Sequence, residues 1–279
     1  MHVHTRHSGM CNIPLLDRVC RECYSDPRAV REAALARGMH LVTVTDHDSI
    51  DAAEELRRHP DFFLSEEVTC TLPTGTGFHM GVYDIHERDH VELQRRRDDF
   101  ESLAAYLRER NLFYTVNHVF SSLTGPRRAD DFQLFRAFPG VETRNGAMPW
   151  RTNRHAEELA LRFRQAPVGG SDAHSIAYVA HAYTEIRGAR TKEEFLSGIK
   201  SGAGLVGGAS GSAWALTRTV LDIVAAMMRE TPWTVALSPL ALVLPAVMLG
   251  NYARERWFAW RWMRALSAGE GARLPVTAR

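Results

Sequence analysis

An α/β fold is predicted by three features of the chain. Short apolar runs alternate with amphipathic helical patterns from residue 1 to about 200. Polar residues of metal-ligating type recur where those runs end, and the character of the sequence changes beyond residue 200. Strand, helix, strand repeated this often predicts a parallel sheet, open or closed into a barrel. The length of 279 residues suits one main domain with an appendage.

Taken in order, the first strand candidate is residues 1–4. "LVTVT" (41–45), "FHMGVYD" (78–84), "FYTVN" (113–117), "GVET" (140–143), "APVGG" (166–170) and "AYTEI" (182–186) follow. A helix fits between the first two strands, with Ser25 or Asp26 as its cap, Pro27 in its first turn and Gly38 closing it. Further helices fit 51–58, 90–110, 128–137, 151–164 and 191–200. Residues 201–212, "SGAGLVGGASGS", read as a Gly/Ser-rich linker after a domain spanning 1–200. Residues 213–279 read as an apolar helical extension. It opens with a helix relieved by Arg218 and Asp222 and continues through an uncharged run at 231–253.

Charge and cysteine content narrow the function. With 34 basic against 33 acidic residues, no global field draws the chain toward nucleic acid, and long nucleic acid is an unfavoured partner. Four cysteines are too few for a disulfide scaffold, and no export leader is recognised, so a cytoplasmic protein is expected. The Cys20–Cys23 pair has no second pair at zinc-finger spacing and is expected to be dispensable.

The histidines are placed more tellingly. In an extended segment side chains at i and i+2 share a face, so His2 and His4 point the same way. "LVTVT" runs into Asp46, His47 and Asp48, and "LSEEVTC" offers Glu66 and Glu67. His79, His118 and Glu142 accompany later strands, and "PVGGSDAHS" delivers Asp172 and His174. In parallel β/α folds these strand ends form the functional face. Nitrogen and oxygen donors converging there suit Zn²⁺, Mn²⁺ or Fe²⁺.

"HVHTRHSG", "VTDHDS", "EEVT" followed by "FHMGVYD", the histidine of "VNHV" and "GGSDAHS" together resemble the ordered motifs of the PHP (polymerase and histidinol phosphatase) superfamily, over about residues 1–190. The resemblance implies a distorted (β/α)7 barrel with a two- or three-metal phosphoesterase site. By it, His2, His4, Glu67 and Asp172 hold one metal, and Glu67 bridges to a second completed by His79 and His118. His47 and His174 serve a third metal or act on the substrate, and His47, His174 and Asp172 are the catalytic candidates. Three positions depart from the pattern: Met1 where many relatives have aspartate, Gly9 and Met10 where a further ligand stands, and Val119 in place of proline.

The expected activity is hydrolysis of a phosphate ester, monoester or diester, of a small metabolite or nucleotide. Arg6, Arg144, Arg151 and Arg154 are candidates to hold the phosphate, because guanidinium forks match its oxygens. The alternatives are a related hydrolase of C–N or C–O bonds and a non-catalytic metal-binding module at a membrane. The run at 231–253 is long enough to cross a bilayer, but Pro239 and Pro245 interrupt it. Trp257, Trp260 and Trp262 follow it together with Arg254, Arg256, Arg261 and Arg264. Helices docked on the barrel or on a partner subunit are favoured, ahead of a peripheral position at the inner membrane, with a true span last.

Overall fold

The computed structural model describes residues 1–14 and 16–271, with side chains to 266; the rest of the predicted extension, 272–279, lies outside the described residues. Helix α1, Pro27–Ala36, begins where the Asp26 carboxylate accepts from the amides of Arg28 and Ala29. The short helix α2, Ala53–Leu56, follows. Strand β1, Ser65–Thr71, turns back as β2, Gly77–Tyr83, and the two pair antiparallel from Ser65–Tyr83 to Thr71–Gly77. The turn is tied by the Thr76 carbonyl accepting from Leu72 N at 2.8 Å, with Gly75 at a φ of +81°. Helices α3, Glu87–Arg96, and α4, Phe100–Glu109, replace the single helix expected over 90–110. They are separated because Asp99 leaves helical geometry and caps α4, accepting from Ser102 N at 3.1 Å.

Strand β3, Phe113–Val116, is antiparallel to β2 and parallel to β4, Gly140–Asn145, which is parallel to β5, Ala166–Gly170. Helix α5, Asp131–Phe135, and helix α6, Trp150–Phe163, make the crossovers. The sheet is therefore mixed, in order β1-β2-β3-β4-β5, and the expected all-parallel arrangement fails at the β1–β2 hairpin. Two of the predicted strands, 1–4 and 41–45, are not full strands. They are extended segments held by isolated bridges of Val3 to Ala173 and Val42 to Phe62, with His47 to Glu67 just beyond. Among the described residues no closed barrel of seven named strands forms.

Strand β6, Ala182–Glu185, pairs antiparallel with β7, Leu205–Gly208, around helix α7, Lys192–Lys200. Part of the segment expected as a linker is thus a strand. Its glycines suit the place, since a Cβ on Gly207 would fall 2.4 Å from the Tyr183 ring. Helix α8, Ala213–Glu230, a 3-10 segment over Pro232–Val243 and helix α9, Leu244–Gly271, complete the chain. The main core gathers Phe78, Met80, Leu103, Val116, Phe135 and Leu159 from β2, β3 and the helices, and α9 joins it through Ala259 and Leu266. This packing fixes the strands whose ends carry the site.

Candidate metal centre

Glu67 ends up at the middle of the histidine cluster because β1 places it beside His47, on the segment that pairs with it. The carboxylate is buried and its two oxygens face different groups. Oε2 lies 3.1 Å from His2 Nε2, 3.5 Å from His4 Nε2 and 3.3 Å from His47 Nδ1. Oε1 lies 3.3 Å from His118 Nε2 and 3.6 Å from His79 Nδ1. Asn117 Nδ2 donates to Oε1 at 2.8 Å and fixes the rotamer.

The first group is the most compact. His2 Nε2 and His4 Nε2 stand 3.1 Å apart, and Asp172 Oδ1 lies 3.5 Å and 3.2 Å from them. A tetrahedral cation with bonds of ~2.0–2.1 Å separates its ligand atoms by roughly 3.3 Å, which is the spacing seen. The partner atoms select the tautomers. His2 Nδ1 is 2.8 Å from Glu142 Oε1, and His4 Nδ1 is 2.9 Å from Ser8 Oγ, whose proton goes to Asp46 Oδ1 at 2.7 Å. Both imidazoles therefore donate from Nδ1 and offer the Nε2 lone pair inward. Asp46 and Glu142 thereby orient ligands. Asn145 Nδ2 links Glu142 Oε2 and Asp172 Oδ2 at 2.9 and 3.0 Å.

The second group is Glu67 Oε1 with His79 and His118. A third forms where His47 Nε2 and His174 Nε2 each lie 3.4 Å from Glu22 Oε1, with His4 stacked on both rings at 4.6 and 4.3 Å. Glu22 sits between Cys20 and Cys23, and sequence reasoning passed it over for the two thiols. Its backbone N donates to the Gly9 carbonyl at 3.1 Å, beside the Gly9–Met10 departure from the pattern. Among the described residues neither thiol belongs to a group of potential ligands, and burial pushes Cys20 up to about 11 and Cys23 up to about 12. Cys23 instead donates from Sγ to the backbone oxygens of His4 and His174, both at 3.3 Å.

Electrostatics within the cluster suit cations. Burial lowers His4 to about 4, with His174 adding to the fall. Burial lowers His79 to about 3, against the pull of Glu67. For His47 burial also acts downward, but the Glu67 and Glu22 carboxylates outweigh it and hold the ring at about 9. Glu67 is held well below the usual carboxylate range, burial being overcome by His2, His79 and His47. His47 Nδ1 and His79 Nδ1, which face the Glu67 carboxylate, are buried and find no hydrogen-bond partner in the protein. Orphaned ring nitrogens beside an ionised carboxylate are what divalent metals satisfy once any proton is displaced, so the residues present fit such ions. Two of these residues also hold left-handed backbone, His118 at a φ of 29° and Asp172 at 47°. Gly170 is required by close approach, since a Cβ there would fall 2.2 Å from His2 Cβ.

All eight predicted ligands are brought together. The predicted phosphate-binding arginines are not: Arg6 pairs with Asp26 and Glu55 at 2.7 and 2.5 Å, and Arg144 and Arg154 both pair with Glu157 at 3.1 Å. Arg151 is exposed on α6. The charges of Arg6, Arg144 and Arg154 are committed to carboxylates, a pairing that only the tertiary structure reveals. His7 stays outside the cluster, 3.7 Å from Glu55.

Comparison with known proteins meets this geometry at one firm point. Residues 150–203 match the family model described as PHP-associated. The chain carries a PHP-associated segment. The resemblance read in the strand-end motifs is borne out to that extent. The fold is similar to that of PsfC from Pseudomonas syringae, with a TM-score of 0.56 and 18% identity over 83% of this chain and 97% of that one. Weaker likenesses are to a candidate metal-dependent phosphoesterase from Bifidobacterium adolescentis (TM-score 0.42, 16% identity, 62% of this chain and 86% of that one) and to the lesion-specific endonuclease PfuEndoQ from Pyrococcus furiosus (TM-score 0.47, 16% identity, 72% and 55%). No curated protein matches the chain.

Proposed function

We propose that the protein is a metal-dependent phosphoesterase acting on a small phosphorylated metabolite or nucleotide. The observation that carries this reading is the buried Glu67 carboxylate, whose oxygens face two separate groups of imidazoles, the arrangement needed to bridge two cations. In this reading His2, His4, Glu67 and Asp172 hold one ion, and Glu67, His79 and His118 hold the second. When bound, two such ions make hydroxide available near neutral pH and neutralise charge on a phosphoryl oxygen.

The chain's own residues do the rest. Glu142, Asn145, Ser8 and Asp46 keep the ligand rings in one tautomer and orientation, so that little reorganisation is needed on binding. Glu22, His47 and His174 either hold a third ion or leave an imidazole free to protonate the departing alkoxide. With Arg6, Arg144 and Arg154 paired to carboxylates, phosphate recognition falls chiefly to the ions themselves. The extended segments 1–4 and 41–45, bridged between Ala173 and the start of β1, support the finer reading of a distorted (β/α)7 barrel.

A phosphate-release screen over small monoesters and diesters, run beside amides and lactones with Mn²⁺ or Zn²⁺ added, tests the proposal. Metal-dependent phosphate release is expected. Turnover confined to an amide or lactone would move the assignment to C–N or C–O bonds, and tightly bound metal with no turnover of any ester would favour a binding role.

A further inference from the structure

The arms of the C-terminal hairpin are fastened to the domain, and its turn is not. On α8, Thr217 and Met227 are buried and Asp222 accepts from Ser175 Oγ at 2.7 Å. On α9, the buried Glu255 carboxylate accepts from Ser122 N at 2.9 Å, and Ala259 and Leu266 enter the main core. The docking expected for these helices is real for this half. Between the arms, residues 231–253 carry no charge. Leu240 is 63% exposed, Leu242 85%, Val247 52% and Leu249 60%. Among the described residues one helical stretch, Pro232–Leu266, is long and apolar enough to cross a membrane, and only 6% of its most apolar window is buried in the molecule. A contiguous bare surface of this kind marks an interaction site.

We propose that this turn enters one leaflet of an anionic lipid bilayer, with both arms returning to the domain on the same side. Four observations select a lipid surface. The apolar turn is followed at once by Arg254, Arg256, Arg261 and Arg264, a cationic collar complementary to anionic headgroups. The collar is interleaved with exposed Trp257 and Trp260, the side chains that populate the membrane interface, and the Arg264 guanidinium lies 4.8 Å over the Trp260 ring. From Leu244 to Ala253, α9 rises by roughly 15 Å, about half of a ~30 Å hydrocarbon core, so the turn reaches into one leaflet. A single crossing would tear Glu255 from Ser122 and Ala259 from the core, because both arms are held on one side. A second copy of this chain is a poorer occupant, since like-charged collars would be brought together. Ser175 and Ser122 follow His174 and His118 by one and four residues, so the hairpin is rooted on the same face as the metal centre.

The test is flotation of the full-length protein with vesicles of phosphatidylcholine alone and of phosphatidylcholine mixed with phosphatidylglycerol. A variant with both Leu242→Asp and Leu249→Asp is run beside it; both positions are exposed, so folding should survive, and circular dichroism and metal content verify that. The full-length protein should float with the anionic vesicles, less so as salt is raised, and weakly with the neutral ones. The variant should lose partitioning by on the order of 100-fold. Full-length protein that stays in solution with both vesicle types, or a variant that floats equally well, would overturn the proposal. So would a dimer by light scattering that the variant dissolves while neither protein floats, which would assign the turn to a second copy.

Discussion

Glu67 concentrates the chemistry in one side chain, and replacing it is the sharpest single change. Glu67→Gln keeps the shape but removes the charge shared by both groups of imidazoles. Metal content should fall and turnover drop ~10³-fold or more, since the lost stabilisation is several kcal/mol. His7→Ala, outside the cluster, should change little; equal damage from the two would undo the assignment of the first motif. His47 supplies a pH dependence with a definite sign. Burial draws its pKa down, but Glu67 and Glu22 hold it at about 9 in the metal-free protein, above the ordinary 6.5. Its contribution to metal-free stability is therefore fully present below pH 6.5 and lost as pH rises through 9. A cation must displace that proton, so affinity for the ion that His47 ligates should rise by about tenfold per pH unit across this window, measured calorimetrically. A flat profile would show that His47 is no ligand. The eight candidate ligands were legible in the sequence as an ordered series of motifs, most of them beside predicted strands, although Glu67 and His79 lie within β1 and β2 rather than at their ends. Glu22 was not, because it sits in a loop that reaches the site only through the fold.

At the scale of elements, the crossovers and caps were legible and the first hairpin was not. Asp26 and Pro27 announce α1, whereas β1, "SEEVTCT", hides its strand character because consecutive Glu66 and Glu67 are both buried, on opposite faces, one held by His90 and the other by the histidine cluster. Glu66 is committed to His90 Nδ1 at 2.5 Å, so burial alone does not make a carboxylate a ligand. The junction of β5 with the N-terminal segment is the tightest contact beneath the centre. Gly170→Ala would force its methyl into His2, so metal content should fall severalfold with α-helical structure unchanged by circular dichroism. Full metal occupancy in that variant would show that the segment can shift freely. Asp99→Ala should cost about 1 kcal/mol of stability in denaturant titration, because it removes the cap that separates α4 from α3, and it should leave metal content intact.

Folding of the whole molecule should be coupled to bound cations. The centre buries His2, His4, Glu67, His118 and Asp172 together, and carboxylates and imidazoles without a cation are poorly compensated at that depth. Ions held at about a hundred times their dissociation constants would add roughly 2.7 kcal/mol, so chelation should lower the melting temperature by more than ~5 °C. The C-terminal extension divides in the same integrated way. Its buried, hydrogen-bonded half belongs to the domain and its uncharged turn does not, a division that composition alone could not draw, since both halves are apolar or aromatic. The measurement that bears most directly on the centre is phosphate release by the metal-stripped protein as Mn²⁺ is titrated back. The account predicts no release from the stripped protein and recovery that saturates at two or more ions per chain. Release that is unchanged by stripping, or saturation with no ion bound, would contradict it.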